Sequence, residues 1–370
     1  MKSITNQINN VKEARRICKN FLAEQKIDTN QISLGLPELD ERYKVWRASI
    51  LFSFQRIGEI VILASTGIVD VSKSTKLPVI LARIEEIGVD IKEKKKTSKT
   101  YQISPLKNTI IHGNSEEKLY TLPENCVDLV FTSPPYYNAK PEYSDYVSYE
   151  SYLEHIRLVI RACHRVLNEG RFFVMNVSPI LVKRINRSSS SQRLAVPFDV
   201  HRLFIEEGFD FIDDIIWEKP EASCPGRNRG FFRNRKPLQY KPNSVTEYVL
   251  VYRKHTDKLL DWNVKSYPFQ EVVESSRILE KYETSNIWKI IPAHKKNHPA
   301  VFPERLAELV IKYYSFKTDV VLDPYAGSGT VGKIASKLER RFLLCEAKDE
   351  YFHNLKEECK IWDTNTDIKE

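Results

Sequence analysis

Val320-Val321-Leu322-Asp323-Pro324-Tyr325-Ala326-Gly327-Ser328-Gly329-Thr330-Val331-Gly332 is the stretch that decides the fold. A short β-branched run ends on an aspartate, a glycine-rich turn follows, and Ile334 to Leu338 continues as a helix. That order marks the carboxyl end of a strand in an open α/β sheet, where such sheets bind ligands. The glycines let a ligand approach the backbone closely at a helix start. Phe342-Leu343-Leu344-Cys345-Glu346 predicts the next strand, and Glu346 at its end can accept hydrogen bonds from both hydroxyls of a ribose.

Gly327 to Gly332 also matches G-x-G-x-x-G, the dinucleotide fingerprint, which is weak alone. Gly327 to Lys333 fits G-x-x-x-x-G-K, but Ile334 stands where a P-loop needs a Ser or Thr hydroxyl, which counts against an NTPase. Glu346 suits either a nicotinamide dinucleotide or S-adenosylmethionine. The leading Asp323-Pro324 and a second, distant motif favour the latter.

That second motif is Thr132-Ser133-Pro134-Pro135-Tyr136, which follows the apolar run Val127-Asp128-Leu129-Val130-Phe131. Consecutive prolines donate no backbone hydrogen bonds, so their carbonyls face out in fixed directions. An amino group on a flat ring is a poor nucleophile because its lone pair is delocalised into the ring. Accepting its two N–H bonds, from Ser133 Oγ and the Pro134 carbonyl, favours a pyramidal nitrogen and restores the lone pair. Tyr136 then stacks on the ring. A duplex base reaches such a pocket only by flipping out of the stack. The paired motifs therefore predict methyl transfer to an exocyclic amine.

Outward from these motifs, strands are expected at Thr109 to Ile111, Val127 to Phe131, Arg171 to Val177 and Phe211 to Trp217. Helices are expected over Tyr149 to Leu167 and Pro197 to Glu207, with Phe302 to Tyr314 a helix feeding the Val320 strand. The alternation predicts an α/β fold with a doubly wound, mainly parallel sheet. Residues 1–100 read as an accessory, mainly helical region, with helices over Val11 to Glu24 and over Pro78 to Ile87, the latter stopped by Gly88. Residues 108–220 form the catalytic half of the core and 298–358 the cofactor half. Residues 221–297 break the rhythm as an inserted segment, and 359–370 form a tail. Within Pro225 to Tyr240 of the insert, Arg227, Arg229, Arg233, Arg235 and Lys236 stand without an acidic residue and are interleaved with Phe231, Phe232 and Tyr240. They are candidates for phosphate and guanine contacts in a target-recognition segment.

The 370 residues carry a net charge of +8, which fits a polyanionic partner without requiring one. The six cysteines are scattered, with no C-x-x-C pair and no histidine at ligand spacing, so reduced thiols and no metal site are expected. Met1 to Asn10 lacks the apolar core of a signal peptide, and no apolar run reaches membrane-spanning length. A cytoplasmic protein is expected.

The chain resembles the DNA amino-methyltransferases, in the permuted group whose catalytic motif precedes the cofactor motif. The resemblance spans about 108–358 and includes Asp213 to Pro220, Glu247 to Tyr252, Asn286 to Ile290 and His298 to Leu306. It implies that Ser133, Pro134, Pro135 and Tyr136 form the catalytic segment. It also implies that Asp323, Tyr325, Gly327, Gly329 and Thr330 form the cofactor loop, that Glu346 holds the ribose, and that Thr132 and His298 line the cofactor site. Similar enzymes commonly carry Gly-Asp where this chain has Gly113-Asn114, and Asn114 is expected at the adenine moiety. Ser at the first catalytic position favours cytosine N4 over adenine N6, the alternative base. A C5 mechanism is disfavoured, because it needs a Cys nucleophile after a proline and the chain has only Cys224-Pro225. A rival of another class is a DNA-binding protein that keeps the fold without turnover. The implied partners are duplex DNA and a restriction endonuclease acting on the same site, with room for a homodimer.

Overall fold

The computed structural model describes residues 8, 10–25, 32–52, 55–91, 101, 103–137, 146, 148–182, 192–224, 238, 242–293 and 303–369. The chain divides into two compact units, Met1–Lys99 and Thr100–Glu370.

In the first unit, helix α1 (Val11–Glu24) falls where its apolar spacing predicts. Asn10 Oδ1 accepts from Glu13 N at 2.9 Å and so caps its start. Four strands follow, β1 (Ile32–Leu34), β2 (Glu38–Asp40), β3 (Val45–Phe52) and β4 (Gln55–Leu63), and then helix α2 (Leu77–Ile91). Strand β3 pairs antiparallel with β4 along its length, and also with β1 through Ile50–Phe52 and with β2 through Val45–Arg47. The expectation of a mainly helical region is thereby corrected. Along β3, buried Ala48, Ile50 and Phe52 alternate with half-buried Arg47, Ser49 and Leu51, a period of two that belongs to a strand. Gly88 does not stop α2, which runs on to Ile91.

The second unit is the expected α/β sheet. Its strands are β5 (Thr109–His112), β6 (Val127–Thr132), β7 (Leu167–Val177), β8 (Ile180–Val182), β9 (Gln192–Leu194), β10 (Phe209–Glu218), β11 (Thr246–Lys254), β12 (Ile287–Lys289), β13 (Val320–Asp323), β14 (Arg341–Glu346) and β15 (Asp367–Lys369). Its helices are α3 (Ser115–Lys118), α4 (Tyr149–Val166), α5 (Val196–Glu206), α6 (Trp262–Ser266), α7 (Gln270–Ser275), α8 (Glu304–Tyr314), α9 (Thr330–Lys337) and α10 (Asp349–Trp362). Strands β8 and β9 make a separate pair. The others form one sheet in the order β12-β10-β11-β7-β6-β13-β14-β5-β15, in which β11 alone runs against the rest.

Alternate residues of the central strands feed the two faces. Val127 and Val130 of β6 pack with Tyr152, Ile156 and Ile160 of α4 and Val200 and Phe204 of α5. Leu129 and Phe131 pack with Leu306 and Val310 of α8, Val331 and Ile334 of α9 and Leu355 of α10. From β6 the chain passes through α4 to β7 on one side, and from β13 through α9 to β14 on the other. Adjacent strands whose connections diverge open a crevice at their carboxyl ends.

Several boundaries differ from expectation. Residues 221–297 are not one insertion, because β11 and β12 belong to the sheet; Val249 and Val251 of β11 face one core and Leu250 and Tyr252 the other. The stretch from 359 is not a tail, since α10 reaches Trp362 and β15 pairs parallel with β5. Strand β5 pairs with β14, so the catalytic and cofactor halves interleave. Strand β7 begins at Leu167 and not at the expected Arg171, and within it Asn168 Nδ2 donates to Asp128 Oδ1 at 2.8 Å.

Candidate active site

The two motifs meet at the crevice. Thr132, the last residue of β6, donates through Oγ1 to Asp323 Oδ1 at 2.6 Å, and Asp323 is the last residue of β13. Both side chains are buried. Tyr325 N adds a second bond to the same oxygen at 3.1 Å. Burial pushes the Asp323 carboxyl up to about 7, against these two donors, with a further rise from nearby Glu346.

The turn after Asp323 is held on the strand next door. Ala326 N donates to the Cys345 carbonyl at 2.9 Å, and Gly327 N to Glu346 Oε2 at 2.8 Å. Glu346 Oε1 accepts from Lys348 N at 2.9 Å, and burial raises this carboxyl above its ordinary value against those backbone donors. Each carboxylate oxygen keeps a lone pair for a further donor. Gly329, at φ +74°, starts α9, and a Cβ there would overlap Leu355. Thr330 is buried in the first turn of that helix, 3.2 Å from the Ser328 hydroxyl. Gly113 N donates to the Glu346 carbonyl at 3.0 Å, which sets Asn114 beside the end of β14. The Asn114 side chain is exposed and makes no cap on α3. Tyr325 packs with the core around α4, its ring 6.0 Å from that of His155 and its hydroxyl buried without a hydrogen-bond partner.

The structure therefore gathers Asn114, Thr132, Ser133, Pro134, Pro135, Tyr136, Asp323, Tyr325, Gly327, Gly329, Thr330 and Glu346 along one edge of the sheet, at the carboxyl ends of β5, β6, β13 and β14. His298 and the basic set Arg227, Arg229, Arg233, Arg235 and Lys236 lie outside the described residues.

Three side chains not singled out from the sequence complete the site. Glu247 is the second residue of β11, whose reversed direction brings its amino end to the edge where the parallel strands finish. Its Oε2 accepts from Tyr136 Oη at 2.9 Å and from Asn176 Nδ2 at 2.7 Å; its Oε1 pairs with Lys219 Nζ. Asn176, near the end of β7, also lies 3.5 Å from Ser133 Oγ through the same Nδ2. Lys219 follows β10 and sits 4.6 Å from the centre of the Trp217 ring. Burial lifts the Tyr136 phenol well above its ordinary value, and Glu247 adds to this; hydrogen bonds from the Ser178 and Ser133 hydroxyls act the other way. Tyr136 is thus tied by its hydroxyl to the pocket wall. Glu247 and Lys219 fall within two segments of the family resemblance, Glu247 to Tyr252 and Asp213 to Pro220, which assigned them no role.

An open α/β sheet with a glycine loop and a Ser-Pro-Pro-Tyr segment at one switch point is the arrangement expected of an amino-methyltransferase. The DNA methylase family, of N6/N4 type, matches residues 127–357, and the chain belongs to it. It is similar to M.ScaI, a Type II methyltransferase of Streptomyces caespitosus, with 31% identity over 65% of this chain and 78% of that enzyme. It is also 30% identical to the Type II beta methyltransferase M.BslI of a Bacillus strain, over 65% of this chain but only 26% of the relative's length. Among solved structures, TTHA0409 of Thermus thermophilus, a candidate DNA modification methylase, superposes with a TM-score of 0.57 at 28% identity, over 71% of this chain and 99% of that one.

Proposed function

We propose that this protein transfers a methyl group from S-adenosyl-L-methionine to the N4 amino group of a cytosine flipped out of duplex DNA. The observation that carries this reading is the junction of Ser133-Pro134-Pro135-Tyr136 with the cofactor loop through Thr132 and Asp323. Among solved relatives, TTHA0409 has also been crystallised with S-adenosyl-L-methionine. The residues present fit that molecule: a glycine loop with no room for a Cβ at Gly329, and a buried carboxylate on Glu346 with acceptor capacity left for ribose hydroxyls. Asp323, Tyr325, Gly327, Gly329 and Thr330 would hold its methionine side, Glu346 its ribose and Asn114 its adenine, with Thr132 and His298 lining the site.

S-adenosyl-L-methionine supplies an electrophilic methyl group on a sulfonium. Ser133 Oγ and the Pro134 carbonyl accept the two N–H bonds of the target amine and turn its lone pair toward that methyl. Tyr136 covers the ring. Positioning of the two reactants carries most of the rate. Arg227, Arg229, Arg233, Arg235 and Lys236 neutralise DNA phosphates, and flipping delivers the base. The Type II relatives favour a partner endonuclease acting on the same site in the cytoplasm.

Serine at position 133 favours cytosine, while the family embraces N6-adenine enzymes as well. Incubation of the purified protein with S-adenosyl-L-methionine and unmethylated bacterial genomic DNA, followed by digestion to nucleosides and mass spectrometry, decides between them. N4-methylcytosine is expected. N6-methyladenine would keep the chemistry and overturn the base. Absence of any methylated base, with the methyl donor bound, would point to a DNA-binding protein without turnover.

A further inference from the structure

Glu247 touches nothing in the two sequence motifs except the Tyr136 hydroxyl, yet it is the hub of the pocket's polar groups. As a carboxylate it only accepts hydrogen bonds. Tyr136 must therefore point its proton at Glu247 Oε2, which turns the lone pairs of Tyr136 Oη toward its other neighbours, the hydroxyls of Ser133 and Ser178. Ser133 is then the donor in its bond to Tyr136; Asn176 Nδ2 approaches one of its lone pairs, and the other remains for a ligand. The same restriction fixes Asn176. Its Nδ2 faces Glu247 and Ser133, and its Oδ1 is buried with no hydrogen-bond partner, on a side chain only 2% exposed. Lys219 holds the carboxylate in place as its counter-ion. Beside the Ser133 segment the network thus leaves acceptors: a lone pair of Ser133 Oγ and the Pro134 carbonyl.

We propose that Glu247 is a positioning residue that sets the direction of the hydrogen bonds through Tyr136 and Asn176, so that Ser133 Oγ and the Pro134 carbonyl meet the base as acceptors. It thereby selects a base edge bearing an amino group over one bearing a carbonyl. A base with a keto oxygen at that place would set acceptor against acceptor, and each buried polar group left unpaired weakens binding. The inference rests on the Ser133 segment as the amine pocket, and it holds for cytosine and adenine alike.

The test uses the full-length protein, S-adenosyl-L-methionine and unmethylated bacterial genomic DNA. In E247Q the new amide can donate as well as accept, so the direction of the network is no longer fixed. The turnover number should fall about 30-fold, the cost of one hydrogen bond to a charged group. The dissociation constant for the methyl donor, measured by calorimetry, should stay within about twofold, because no donor-site residue touches Glu247. E247D keeps a compulsory acceptor on a side chain one methylene shorter, whereas Gln matches the shape of Glu. Turnover in E247D should exceed that of E247Q about tenfold, roughly one hydrogen bond's worth. A mere loss of packing would rank the two variants the other way.

Turnover in E247Q within about threefold of wild type, or E247D no faster than E247Q, would overturn the inference. A wild-type protein that methylates no amino group would instead bring down the pocket reading beneath it, and the wild-type control separates the two failures.

Discussion

Thr132 Oγ1 lies 2.6 Å from Asp323 Oδ1, a hydrogen bond between residues 191 positions apart that locks the catalytic strand to the cofactor strand. Neither end can shift along the sheet without breaking it, since the parallel ladder pairs Leu129 with Val321 and Val130 with Leu322 just behind. The proposed methyl-acceptor and methyl-donor sites are thus held in one register by a contact a few atoms wide.

Replacing Thr132 by valine keeps the shape and removes this donor, leaving Asp323 with the Tyr325 N–H bond. Destabilisation of about 1–3 kcal/mol is expected from a buried carboxyl that loses one partner. Urea unfolding of wild type and variant measures it, and an unchanged midpoint would show that the bond contributes nothing net.

The Asp323 carboxyl titrates near 7 in the folded chain against an ordinary 3.8. Between those values the folded protein holds a proton that the unfolded chain releases. The stability this contributes is complete below about pH 4 and is lost as pH rises through about 7. Unfolding free energies from pH 5 to 8 should therefore decline less steeply in Asp323→Asn than in wild type. Parallel curves would contradict the raised value.

Ser133→Ala removes one of the two proposed acceptors without touching the glycine loop. Methyl transfer to genomic DNA should drop by about 100-fold or more, comparable to loss of one transition-state hydrogen bond. Binding of S-adenosyl-L-methionine by calorimetry should be unaltered. Equal losses in both would assign Ser133 to the donor site.

Arg227→Ala with Arg233→Ala tests the basic segment. Each phosphate contact contributes about 0.9 to the log–log salt slope of duplex DNA binding, so the double variant should be shallower by about 2. A slope identical to wild type would remove these residues from the interface.

The sequence by itself determined the sheet, the two motifs and the family. A β-branched run ending in Asp323 with glycines behind it, or in Thr132 with two prolines behind it, is a local signal: strand, turn chemistry and helix start all lie within a dozen residues. The sheet of the first unit was also legible in the alternation of Val45 to Phe52, which an emphasis on helical spacing obscured. Only the tertiary structure decided which strands are neighbours. Glu247, Asn176, Lys219 and Tyr136 come from β11, β7, the end of β10 and the segment after β6, and no spacing along the chain relates them. Strand β11 had to run backwards for Glu247, its second residue, to reach the carboxyl edge of the others. Strand pairing across long separations is chosen by burial of both faces of the whole sheet, so the site's polar hub is written in the packing and not in any one segment.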